Sequence, residues 1–111
     1  MKKTILMILF VIFFVCVIYS QTRPENSWLI GTWVADKYNW TFVLNNDGSG
    51  TFTSVNPEKF HFSVNQNFDG ILVLYVFYEK GITEEYMVYR INDRFMILES
   101  EGYRIDYNKR N

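Results

Sequence analysis

Thiol and imidazole are nearly missing from this chain. Its 111 residues hold one cysteine, Cys16, and one histidine, His61. One thiol forms no intrachain disulfide, and one imidazole supplies neither a two-histidine metal site nor, without a nearby thiol, a Cys/His pair. Basic charge is not in excess either: 11 Lys and Arg stand against 12 Asp and Glu, a net of -1. Nucleic acid is therefore not an expected partner, because phosphate binding needs clustered Lys and Arg. The apolar residues after residue 20 do not recur at helical spacing, so no helix is expected there. No apolar run reaches the roughly 18 to 20 residues that a membrane-spanning helix usually requires. The longest, Thr4 to Tyr19, has 16.

That run has a meaning of its own. Lys2 and Lys3 precede it, and Ile, Leu, Phe and Val dominate it. A basic start followed by a short apolar stretch is the pattern of an export signal, which places the protein in the periplasm or outside the cell. Ser20, a small residue with Ile18 two positions before it, marks the expected cleavage point, giving a signal peptide over 1–20. The competing position is Cys16, since a cysteine late in such a run resembles a bacterial lipoprotein anchor and would tether the domain to the envelope. Phe13, Phe14 and Val15 do not supply the small residue that normally precedes an anchored cysteine. Cleavage after Ser20 removes Cys16 together with Lys2 and Lys3, and leaves a mildly acidic domain that must be stabilised by packing alone.

The rest of the chain reads as short strands. Residues 21–27 are polar and broken by Pro24, a tether to a domain over 28–107, and 108–111 form a polar tail. Between them, apolar residues alternate with polar ones and turn formers recur every eight to twelve residues. Gly31 to Ala35 is a first strand. Tyr38 to Leu44 is a second, with Tyr38, Trp40, Phe42 and Leu44 on one face. Asn45 to Gly48 is a tight turn, because Asn, Asp and Gly tolerate positive φ. Gly50 to Val55 and Lys59 to Gln66 follow, the latter setting Phe60, Phe62 and Val64 against Lys59, His61 and Ser63. Ile71 to Tyr78 is apolar throughout, as in a strand covered on both faces. Thr83 to Ile91, Phe95 to Glu99 and Tyr103 to Tyr107 complete eight. Sequential strands usually pair with their neighbours, and closing the meander removes its exposed edges. The expected fold is all-β: an antiparallel up-and-down meander of about eight strands forming a small barrel, aromatic faces inward.

Gly31, Thr32, Trp33 on the first strand resembles the glycine-x-tryptophan signature of lipocalin-like (calycin) barrels. The pattern from Tyr38 through Asn46, Asp47, Gly48, Ser49, Gly50 and Phe52 is similar to small bacterial secreted domains of that kind. The resemblance spans Trp28 to Tyr107. It implies a barrel plugged at one end by Trp33 packed against Gly31, with an arginine from the last strand laid over the indole. Arg104 is the residue that matches, by a cation–π contact.

Chemistry-bearing constellations are scarce. His61 is alone on a polar face. Gly48 to Gly50 joins two strands, not a strand and a helix, so it is a hairpin and no phosphate cradle. Glu84 and Glu85 are adjacent, hence on opposite faces, and read as solvated charges near a turn. Asn39, Trp40, Thr41 fits a glycosylation acceptor that matters only in a eukaryotic secretory route. No catalytic residue, metal or cofactor is expected, and an enzyme is the least favoured class. Two others remain. The inward set Tyr38, Trp40, Phe42, Phe52, Phe60, Phe62, Tyr75, Phe77 and Tyr86 would line a pocket for a small hydrophobic ligand if the barrel is hollow. If these rings fill it, the domain is an envelope interaction module or inhibitor, for which outward Leu72, Leu74 and Val76 offer a patch for a protein partner.

Overall fold

The computed structural model describes residues 24–110; the expected signal segment, Cys16 and the last residue lie outside them. After a 3-10 helix over Pro24–Leu29 come eight strands: β1 Gly31–Ala35, β2 Trp40–Leu44, β3 Ser49–Thr53, β4 Pro57–Gln66, β5 Leu72–Tyr78, β6 Thr83–Asn92, β7 Phe95–Ser100 and β8 Tyr103–Arg110. Each pairs antiparallel with the next, and β8 returns to β1, so the sheet closes into a barrel. The expected all-β meander of eight strands is the observed architecture.

Hairpin chemistry explains where the chain reverses. At 45–48, the Asp47 carboxylate accepts the Ser49 amide at 2.9 Å and its hydroxyl at 2.6 Å. At 67–70, the Asn67 side-chain oxygen accepts the amides of Asp69 and Ile71. Both reversals use side chains that mimic backbone acceptors, followed by a glycine with positive φ. Because direction alternates along the meander, the turns at 36–39, 54–56, 79–82 and 101–102 share one end of the barrel. The 3-10 helix and the turns at 45–48, 67–70 and 93–94 share the other.

Register fixes which side chains face in. Trp33 stands opposite Phe42, Phe42 opposite Phe52, Phe60 opposite Tyr78, Phe62 opposite Val76, and Val64 opposite Leu74. Residues paired across a ladder share a face, and this face holds the core: Leu29, Trp33, Phe42, Leu44, Phe60, Leu74, Val76, Met96 and Leu98 are almost wholly buried. Gly50 is also inward, opposite Phe60. A Cβ there would lie 2.3 Å from the Phe60 ring and 2.4 Å from the Val43 carbonyl oxygen. Only glycine leaves room for the ring to lie across β3.

Several boundaries differ from the sequence expectation, three of them where they shape the ends of the barrel. The described part of the tether, 24–27, belongs to the 3-10 helix, which carries Leu29 into the core. Tyr38 and Asn39 form the turn before β2, with Asn39 at φ 56°. Most consequentially, residues 108–110 are not a tail. They extend β8 and pair Asn108 with Val34, Lys109 with Trp33 and Arg110 with Thr32, which is the seam that closes the barrel.

The facing expected for β5 is reversed. Leu74 and Val76 are fully buried, and Leu72 packs against the core, so these three form no outward partner patch. Tyr75 and Phe77 alternate with them and lie on the outer face, opposite Ser63 and His61. A strand apolar at every position carries no alternation, so the sequence leaves its facing open by one residue. The strand is also less covered than expected: Phe77 is 45% exposed.

Candidate functional site

The interior divides into two halves. Toward the end capped by the 3-10 helix, side chains fill the space. The Trp33 indole N–H donates to the Leu29 carbonyl at 2.8 Å, and the Trp28 ring meets Trp33 edge-on with centroids 6.1 Å apart. A lysine completes the plug. The Lys109 ammonium lies 5.4 Å from the Trp33 ring centre and donates to the Trp28 carbonyl at 2.7 Å. Burial lowers its pKa. Its stem crosses Gly31, where an added Cβ would lie 2.6 Å from Lys109 Cε. Arg90, opposite the buried Met96, adds its guanidinium 4.8 Å from the Trp28 ring centre.

Arg104 therefore does not overlie Trp33. It sits on the outer face, ion-paired to Glu99 at 2.6 Å and 5.2 Å from the Tyr89 ring. The reason is parity: in β8, Ile105, Tyr107 and Lys109 face inward, and an even-numbered residue faces out. The expected glycine–tryptophan–cation closure is present with Lys109 as its cation.

Toward the other end the interior is open. A cavity of about 1370 Å³ opens at the turns at 36–39 and 79–82; part of it enters the barrel, bordered by Tyr38, Trp40, Phe52, Tyr78, Tyr86 and Tyr107, and part continues over the outer face of β5 to β8 along Val73, Tyr75, Glu85, Met87, Glu99 and Arg104. Tyr38 stacks on Trp40 with centroids 4.6 Å apart, and Trp40 meets Phe52 edge-on at 5.6 Å. Below them Phe42 touches Phe52, Phe60, Tyr86 and Tyr107. Phe42, almost wholly buried, thus joins the rings that border the hollow to the packed half.

The nine aromatic residues expected to line a pocket separate accordingly. Tyr38, Trp40, Phe52 and Tyr86 border the cavity. Phe42, Phe60 and Phe62 belong to the packed core. Tyr75 borders the hollow although it alternates with the buried residues of β5, and Phe77 lies outside it.

Sequence reasoning missed the polar members of the mouth. Glu58 on β4 and Glu84 on β6 stand opposite Phe52 and Val76, which places both on the inward face. Glu58 is ion-paired with Lys80 at 2.8 Å. Lys80 also lies 5.4 Å from the Tyr78 ring centre. Glu84 is half-buried and accepts a hydrogen bond from the Tyr86 hydroxyl. Burial is the main cause that raises the Glu84 pKa; Lys80 opposes the shift, and Glu58 and Glu101 reinforce it. The Tyr78 and Tyr107 phenols, both buried, are pushed up chiefly by burial and then by the Glu84 charge, so both keep their protons at neutral pH. The signal for Glu84 was available: Glu84, Tyr86 and Val88 share one parity, and Val88 is core.

Among the described residues, no group of three or more His, Cys, Asp or Glu side chains is placed to hold a metal ion, and no helix is long and apolar enough to cross a membrane. His61 is exposed on the outer face. No protein-family model, curated protein or solved structure matches this chain. The arrangement itself offers aromatic surface, a half-buried carboxylate and phenolic hydroxyls around one open hollow, which are the parts of a binding site.

Proposed function

We propose that this chain is an exported, non-catalytic, lipocalin-like barrel that binds a small apolar or amphipathic molecule in the open half of its interior. The observation that carries the reading is the cavity bordered by Tyr38, Trp40, Phe52 and Tyr86, with Phe42 packed behind Phe52 and Tyr86. Rings that would otherwise be wet gain apolar contact when a ligand enters, and the surrounding barrel is already formed. The plug of Gly31, Trp33 and Lys109 supports the lipocalin-like assignment, since a closed base gives a container with one entrance. The basic start and apolar run before residue 20 support export.

Native mass spectrometry of the protein purified gently from its own host tests this. The expected result is a second species heavier than the polypeptide by the mass of a small organic molecule, lost on extraction with organic solvent. A bare polypeptide mass, together with no uptake of any apolar probe, would overturn it.

A further inference from the structure

We propose that the molecule bound in this cavity is a primary amine on an apolar body, held with its ammonium group against Glu84 and its body against Trp40, Phe52 and Tyr86. This rests on the binding reading above and adds the sign and chemistry of the ligand's polar end.

Three observations converge on it. First, the inward-facing charged side chains of the open half are both carboxylates, Glu58 and Glu84. At the open end Glu58, Glu84 and Glu101 stand against Lys80, while Glu85, Glu99 and Arg104 lie on the outer face. Arg104 is held on the outer face by Glu99. An anionic ligand would enter against this balance, and a cationic one with it.

Second, the two inward carboxylates are not equivalent. Lys80 satisfies Glu58 by direct contact. Glu84 forms no ion pair with another described residue, and its one hydrogen bond comes from a neutral phenol, Tyr86. A carboxylate partly withdrawn from water with no cation in direct contact is costly, and a ligand ammonium supplies that contact.

Third, Tyr107 is 3% exposed and Tyr78 7% exposed, and both border the hollow. Neither hydroxyl bonds to another described residue, and neither is sealed from solvent, so both are reached from the cavity. A primary ammonium has three N–H donors and needs several acceptors. The Glu84 carboxylate and the phenol oxygens provide them, while the ring faces attract the same charge. A quaternary ammonium would leave those acceptors unused.

Calorimetric titration of the purified protein with dodecylammonium, dodecanol and dodecanoate, each below its micelle concentration at neutral pH, separates the contributions. Dodecylammonium is expected to bind about tenfold more tightly than dodecanol, and dodecanoate more weakly than either. Glu84→Gln should bring dodecylammonium to the affinity of dodecanol and leave dodecanol unchanged, while Glu58→Gln should alter the preference much less. Equal affinity for all three probes, or a preference for dodecanoate, overturns the charge assignment and leaves the cavity reading standing. Binding of none of them overturns both. Should Glu84→Gln lose the circular dichroism of the parent, the three-probe comparison on the unmodified chain decides by itself.

Discussion

Trp33 and Trp40 stand on paired strands, and both face into the same barrel, yet their surroundings have little in common. Trp33 is wholly buried, its indole N–H is satisfied by Leu29, a lysine lies over its ring, and a second tryptophan meets it edge-on. Trp40 is half-buried, stacked on a tyrosine of the rim, and borders an open hollow. Charge divides the same way. The plugged end turns Lys109 and Arg90 toward tryptophan rings, whereas the open end turns Glu58 and Glu84 inward. One end uses its charged residues to finish a packed surface, and the other keeps a carboxylate whose only hydrogen bond from a described residue comes from a neutral phenol. A small barrel with a limited core can tolerate such a carboxylate because the other half is packed without compromise.

The largest effect that follows belongs to the boundary between the halves. Gly50→Ala places a methyl group inside van der Waals distance of the Phe60 ring and of the Val43 carbonyl oxygen. The carbonyl belongs to a paired strand and cannot move freely, and Phe60 is held by Phe42 and Tyr78. Overpacking of this kind costs about 1–3 kcal/mol and occasionally more, and here the upper part of that range or beyond is expected. Urea denaturation is the measurement, and a midpoint within error of the parent would show that β3 and β4 are not packed as described.

A smaller and more pointed effect concerns the cation of the plug. Lys109→Ala removes the contact with Trp33 and the hydrogen bond to Trp28, together worth about 1–2 kcal/mol. Arg104→Ala removes an exposed ion pair, which solvent screens and which contributes little. Thermal melting of the two variants should therefore rank Lys109→Ala well below Arg104→Ala. The reverse order would restore Arg104 as the residue closing the barrel.

How the sequence located the tryptophan and misplaced its cation is instructive. Gly31 and Trp33 were legible because a glycine and a tryptophan two residues apart share a strand face, and the face is marked by Ala35 continuing it. Phe60, Phe62 and Val64 were legible for the same reason, each alternating with a polar residue. Lys109 was not, because Asn108, Lys109 and Arg110 are polar and pair only when β1 arrives beside them, a contact between opposite ends of the domain. Strand β5 failed differently: with Leu, Val and aromatic residues at every position, shifting the facing by one residue costs nothing in local pattern. Glu84 was overlooked because a charge beside a turn is ordinarily solvated, and only the parity it shares with Tyr86 and Val88 points it inward.

The last expectation turns on that residue and on pH. Burial raises the Glu84 pKa in the folded protein, so the folded state favours the protonated form more than the unfolded chain does. Stability contributed by this preference is fully present below the unfolded value and is lost as pH rises through the raised folded value. At neutral pH the carboxylate is charged and bears its desolvation, which a neutral amide avoids. Glu84→Gln should thus raise the melting temperature slightly at neutral pH, and the gap between variant and parent should shrink as the pH is lowered through the range where Glu84 takes up its proton. Lys80, Glu58 and Glu101 act on the same carboxylate. Lys80 favours its charged form and so narrows the gap at neutral pH, which makes Lys80→Met in the Glu84 background the variant that should widen it. A gap that is independent of pH would mean that Glu84 is as well hydrated as a surface glutamate, and the contrast between a satisfied plug and an unsatisfied mouth would lose its charged half.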